Sequence, residues 1–137
     1  MVKGLHHIAI SVKDLDASMH FYHELLGWEI SRIVKDTDMN GCLCDAYYLQ
    51  IPGSGELEFI DRKGKQVTTE RDMDHVGLHH FALEVDDPEP YYNMFKENGY
   101  SFAIPLCKMD QFGHYTCGVI DPDGIMVEFI SNYIPEK

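Results

Sequence analysis

His6-His7-Ile8-Ala9-Ile10-Ser11-Val12-Lys13-Asp14 is written a second time, with substitutions, as His79-His80-Phe81-Ala82-Leu83-Glu84-Val85-Asp86-Asp87, displaced by 73 positions (80 − 7). Further along, Leu57-Glu58-Phe59-Ile60 returns as Val127-Glu128-Phe129-Ile130, displaced by 70 (128 − 58). The order is the same in both halves: a His-His strand, a helical stretch, then an x-Glu-Phe-Ile strand. Two near-equal offsets in one order point to a duplicated module. The first copy spans about residues 1–66 and the second about 77–133. A polar linker at about 67–76 joins them within one domain of 137 residues.

Each copy reads as βαβββ, an α+β arrangement. In the first, a strand over 5–13 alternates apolar and polar residues. Asp14 or Asp16 then offers an N-cap for a helix closed by Gly27, with Leu15, Met19, Tyr22 and Leu26 expected on one face. Strands are expected near 28–35, 43–51 and 55–61. In the second, Asp86 or Asp87 precedes Pro88, an early-helix residue, and Gly99 ends the helix. Strands are expected near 101–107, 114–121 and 125–132. Asp121-Pro122-Asp123-Gly124 carries turn chemistry and joins the last two as a hairpin.

Strand parity sorts the chemistry. Ile8, Ile10 and Val12 form an apolar row suited to lie beneath a helix, and His6 shares their parity. His7, Ala9 and Ser11 form the other row, small or polar, which suits the lining of a cup. The second copy sorts alike, with His79 on the row of Phe81, Leu83 and Val85, and His80 on the row of Ala82 and Glu84. Glu58 opposes Leu57 and Phe59, and Glu128 opposes Val127 and Phe129. Parity therefore selects His7, Glu58, His80 and Glu128.

A lone carboxylate inside an apolar strand is costly to desolvate, and a bound cation offsets that cost. Two imidazoles and two carboxylates make a donor set for one divalent ion: zinc, nickel, cobalt, manganese or ferrous iron. A single strand histidine is more often structural than a ligand; the repeated His…Glu order is what raises the metal reading. His20 and His23, at i, i+3 on the first helix, read better as a solvated face. His75, in the linker, is expected to have no role. Tyr47, Tyr48, Tyr91 and Tyr92 read as packing or rim residues. His114 and Tyr115 open a strand at the second module's mouth, where contact with substrate competes with a turn-and-strand role.

Bulk properties bound the partners. With 11 basic and 23 acidic residues the formal charge is −12, a surface that repels phosphate backbones, so nucleic acid is not expected. No apolar run approaches the ~20 residues of a membrane helix, and no signal peptide is visible, so the expectation is cytoplasmic. Cys42, Cys44, Cys107 and Cys117 contain no C-x-x-C element and are expected to be reduced and packed as small hydrophobes.

The motifs His7-Ile8-Ala9-Ile10-Ser11-Val12-Lys13-Asp14-Leu15, Phe21-Tyr22-x-x-Leu25-Leu26-Gly27, His79 to Asp87 and Asp121-Pro122-Asp123-Gly124-x-x-x-Glu128 cover nearly the whole chain. In them the sequence resembles the vicinal oxygen chelate superfamily. That superfamily includes glyoxalase I, methylmalonyl-CoA epimerase, fosfomycin and bleomycin resistance proteins and extradiol dioxygenases. The resemblance implies paired βαβββ modules curling into an incomplete barrel around a metal site, commonly as a homodimer. In glyoxalase I-like members the metal ligands fall at positions matching His7, Glu58, His80 and Glu128. Two positions depart: Ser11 stands where glyoxalase I carries a glutathione-contacting arginine, and Arg62 where it carries a substrate-contacting asparagine.

The expected activity is that of a metal-dependent lyase or isomerase acting on a small molecule, moving a proton at carbon next to a carbonyl through a metal-bound enediolate. Glu58 and Glu128 are the candidate bases, with His7 and His80 as permanent ligands. The alternatives are an epimerase of the methylmalonyl-CoA type, a ferrous ring-cleaving dioxygenase on His7, His80 and Glu128, and a non-catalytic binding or resistance protein. The dioxygenase leaves Glu58 as a surplus ligand.

Overall fold

The computed structural model describes residues 1–66 and 74–133. Residues 67–73 of the expected linker lie outside the described residues. The chain divides into two compact units, Met1–Thr69 and Glu70–Lys137.

The first unit runs β1 (His7–Val12), α1 (Leu15–Met19), a π-helical continuation (His20–Leu25), β2 (Ile30–Met39), β3 (Cys42–Gln50) and β4 (Glu56–Asp61). Its four strands lie in the order β1-β4-β3-β2, with β1 parallel to β4 and the other pairs antiparallel. Asp14 is the residue that caps α1, its carboxylate accepting from the Ala17 amide at 3.3 Å. Asn40 and Gly41, both at positive φ, make the two-residue turn between β2 and β3.

The helix does not keep the face expected of it. Leu26 N–H reaches back five residues to Phe21 O at 3.2 Å, a π-type bond that widens the turn. The residues turned inward are Ser18, Phe21 and Tyr22, all fully buried, while Leu15, Met19 and Leu26 are half-buried. Tyr22 packs on Phe59 of β4 with ring centroids 5.0 Å apart and on Trp28 at 5.6 Å. Burying each such side chain contributes about 1.5–3 kcal/mol. This cluster fixes which face of the sheet the helix covers.

The second unit repeats the plan with β5 (His80–Glu84), α2 (Glu89–Glu97), β6 (Phe102–Met109), β7 (His114–Ile120) and β8 (Met126–Asn132). The sheet order is β5-β8-β7-β6, again with the first and last strands parallel. Asp87 accepts from the Glu89 amide at 3.0 Å to start α2, and Gly99 at φ 83° follows its end. Tyr91 stacks flat on Phe129 at 4.7 Å, and Phe95 meets the same ring at 5.7 Å. Asp121 holds its turn by accepting from Asp123 and Ile125 amides, each at 2.9 Å. Both sheets are open, four-stranded and covered on one face by their helix, as the duplicated α+β reading requires. Among the described residues no helix is long and apolar enough to cross a membrane.

Candidate metal centre

In each unit the parallel pairing of the first and last strands brings one histidine to one glutamate. Ala9 is the partner of Glu58 and Ala82 the partner of Glu128, so His7 and His80 each stand one pleat away on the same face. His7 Nε2 lies 3.4 Å from Glu58 Oε1, and His80 Nε2 lies 3.1 Å from Glu128 Oε1. The carboxylates are buried, at 5% and 8% exposure, while the imidazoles remain about one-third open to solvent.

Two donors bound about 2.1 Å from one cation stand roughly 3.0–3.4 Å apart, depending on the angle between them. Both His–Glu pairs meet that spacing, and the His80 contact is also an ordinary hydrogen bond, the imidazole Nε2–H donating to Glu128 Oε1 at 3.1 Å. Imidazole and carboxylate donors are of the types that suit a divalent ion, and each pair has the spacing two such donors would take. The structure gathers the four as two pairs, one per unit. Among the described residues no group of three or more His, Cys, Asp or Glu side chains is assembled as a metal cage.

The other carboxylate oxygen is occupied in each case, by partners that sequence reading missed. Tyr48, directly opposite Glu58 on β3, donates its phenol hydrogen to Glu58 Oε2 at 2.9 Å. Burial, and then its bond to Glu58, hold that phenol above the usual tyrosine range. The Arg32 guanidinium lies 4.1 Å over the same ring. In the second unit Thr116, fully buried on β7, donates to Glu128 Oε2 at 2.6 Å. The hairpin register would have found Tyr48: a β3–β4 turn over 51–55 pairs position 48 with 58.

The remaining candidates fall elsewhere. His20 Nδ1 pairs with Glu24 at 2.8 Å and His23 Nδ1 with the Trp28 carbonyl at 2.6 Å, so both serve the helix. Tyr115 faces the helix side of β7. His114 shares the Glu128 face, but it pairs with Asn132, four residues along β8 and so about 13 Å away. It stacks on Phe112 at 5.9 Å. Among the described residues Cys42, Cys44, Cys107 and Cys117 form no disulfide; Cys44 and Cys117 are buried, while Cys42 and Cys107 are half-buried. Burial, then the charge of Glu128, pushes the Cys117 thiol up to about 12.

The expected separation of the His-His rings fails at its edge. Parity assigns His6 and His79 to the helix side, yet β1 and β5 begin only at His7 and His80, so the preceding residues escape the pleat. Their rings turn to meet the following histidine, His6 Nδ1 to His7 Nδ1 at 2.8 Å and His79 Nδ1 to His80 Nδ1 at 2.7 Å.

Comparison with known proteins extends the reading to the whole chain. An uncharacterized protein, YwbC, of Bacillus subtilis (strain 168) is 28% identical over 130 residues, 94% of this chain and 98% of its own. A "probable lactoylglutathione lyase" of Vibrio parahaemolyticus serotype O3:K6 is 28% identical over 126 residues, 92% of this chain and 88% of that protein. The crystal structure of a glyoxalase family protein from Enterococcus faecalis superposes with a TM-score of 0.77 at 28% identity, covering 94% of this chain and 98% of that one. With residues 4–129 matching the family as a whole, the chain belongs to the Glyoxalase/Bleomycin resistance protein/Dioxygenase superfamily.

Proposed function

We propose that this protein is a metal-dependent lyase or isomerase of the glyoxalase I type, in which His7, Glu58, His80 and Glu128 hold one divalent cation. The observation that carries the reading is the repeated pair: in each unit a histidine Nε2 faces a buried glutamate oxygen at ligand spacing. The "probable lactoylglutathione lyase" relative supports the reaction class. Ser11 and Arg62 speak against glutathione itself as the carrier.

When bound, zinc, nickel, cobalt, manganese or ferrous iron would act as a Lewis acid, stabilising negative charge that develops on carbonyl oxygen. The protein's residues handle the proton. Glu58 and Glu128 are the acid–base pair: one removes the hydrogen from carbon next to the carbonyl, and the proton returns to the adjacent atom. Tyr48 and Thr116 each occupy one carboxylate oxygen, which leaves the oxygen facing the imidazole for ligation or proton transfer. His7 and His80 stay as ligands throughout. A homodimer, as the family resemblance implies, is part of this reading.

The test is elemental analysis of the purified protein, followed by turnover assays on hemithioacetals, acyl-CoA thioesters and catechols. One equivalent of a divalent metal and turnover of a hemithioacetal or thioester are expected. Oxygen uptake with a catechol and ferrous iron would replace this reading with the dioxygenase one. Protein that takes up no metal would replace it with a binding protein.

A further inference from the structure

Behind each proposed ligand imidazole stands a second imidazole. The two contacts are nearly superposable: Nδ1 to Nδ1 at 2.8 and 2.7 Å, with ring centroids 5.0 Å apart in both and interplanar angles of 78° and 75°. A nitrogen–nitrogen separation of this length requires one hydrogen between the rings, so one donates and the other accepts. The same arrangement arises separately in each unit, although the residues around Glu58 and Glu128 differ.

The direction of that bond depends on the front of the ring: while His80 Nε2–H donates to Glu128 Oε1, His80 Nδ1 is the acceptor, and a cation at Nε2 reverses the polarity. His7 and His80 turn Nε2 toward their glutamates. A neutral imidazole whose Nε2 gives its lone pair to a cation carries its hydrogen on Nδ1. His7 and His80 must then be the donors. His6 and His79 accept at Nδ1 and keep their own hydrogens on Nε2.

We propose that His6 and His79 are positioning residues. They fix the rotamer and the tautomer of His7 and His80, so that Nε2 is presented to the cation. The place is one that a carboxylate, a carbonyl or water usually fills behind a metal-ligating histidine. An imidazole there accepts without adding charge, so the two glutamates remain the source of negative charge in the ligand set. Main-chain contacts hold His6 where it can accept, since Glu56 N–H donates to the His6 carbonyl at 3.0 Å. Gly55 lies so close that an added Cβ would sit 2.5 Å from that carbonyl oxygen. This inference rests on the proposed four-ligand site, and the experiment separates the two.

The full-length protein and the double variants H6F/H79F and H6N/H79N are compared. Phenylalanine keeps a ring but has no acceptor; the Asn Oδ1 falls where His Nδ1 was. Zinc affinity is read by competition with a chromophoric chelator, and circular dichroism checks the fold. Long-range nitrogen-15 NMR of the zinc-loaded wild type reads which nitrogen of each ring carries hydrogen. The expected result is zinc affinity about 10–100-fold weaker in H6F/H79F. Recovery to within a few-fold of wild type is expected in H6N/H79N, with hydrogen on Nδ1 of His7 and His80 and on Nε2 of His6 and His79 in the wild type. Unchanged affinity in a folded H6F/H79F, or hydrogen on Nδ1 of His6 or His79 in the zinc form, overturns the inference alone. Wild type that binds no zinc, nickel, cobalt, manganese or ferrous iron overturns the four-ligand site and the inference with it.

Discussion

The two units keep the same His–Glu device and set it in different surroundings. Around Glu58 the sheet is polar: the residue directly across β3 is Tyr48, and the Arg32 guanidinium lies over its ring. Around Glu128 the residue directly across β7 is Gly118, and an added Cβ there would meet the Met126 and Ile104 side chains. The hydroxyl that holds Glu128 comes from Thr116, beside the Gly118 position rather than opposite the carboxylate. Duplication preserved the groups at the front of the pair and left the supporting side chains to diverge. The two carboxylates are therefore chemically unequal, one beside a phenol and a cation, the other in an apolar setting on a short, fixed hydroxyl.

The sharpest way to break this comparison is to neutralise each carboxylate in turn. Glu58→Gln and Glu128→Gln should each lower kcat by about 10²–10⁴-fold, the usual range for a positioned acid or base, with weakened but measurable metal binding. Unequal losses on a hemithioacetal or thioester substrate would identify the principal base. Full turnover in either variant would remove that residue from acid–base work.

Next in size are the glycines. Gly55→Ala places Cβ against the His6 and Leu5 carbonyls at 2.5 and 2.7 Å, and backbone cannot yield cheaply. A loss of roughly 1–3 kcal/mol or more is expected by urea denaturation. Gly118→Ala meets the flexible end of Met126 at 2.7 Å, so a smaller loss is expected, and Met126→Ala should relieve it. Equal losses in the two would contradict the difference between a backbone and a side-chain neighbour.

The hydroxyls come third. Thr116→Val leaves a buried Glu128 oxygen unpaired and should cost about 1–3 kcal/mol. Tyr48→Phe, at a half-buried site, should cost about 0.5–1.5 kcal/mol. A reversed order in the same urea series would mean that Tyr48 rather than Thr116 carries the stiffer anchor. Smallest of all, Arg32→Met removes an exposed cation–ring contact worth roughly 0.5–1 kcal/mol. It should lower the melting midpoint by no more than about 2–4 °C.

Much of this was legible in the chain. The 73- and 70-residue offsets gave the duplication, and the two-residue period of a strand chose His7, His80, Glu58 and Glu128, because that period is a property of the backbone itself. Turn chemistry located Asp121 to Gly124 for the same reason: the residues act on their own main chain. The face of the first helix was not legible, since the chain passes into a π-helical stretch at His20–Leu25 and the packing of Tyr22 against Phe59 and Trp28 selects the buried side. The partners of the glutamates were hidden as well. Tyr48 and Thr116 reach Glu58 and Glu128 only once antiparallel register has been set between strands.

The His-His pairs divide along the same line. Sequence alone determined which histidine of each pair shares a face with a glutamate, because alternation along a strand needs no partner. What the other histidine does was decided by tertiary structure. His6 and His79 stand just outside β1 and β5, where the pleat no longer dictates direction, and for His6 the contact with Gly55 and Glu56 holds the main chain. Local periodicity fixes orientation within an element. Contacts between elements fix it at the ends, where the repeating hydrogen bonds stop.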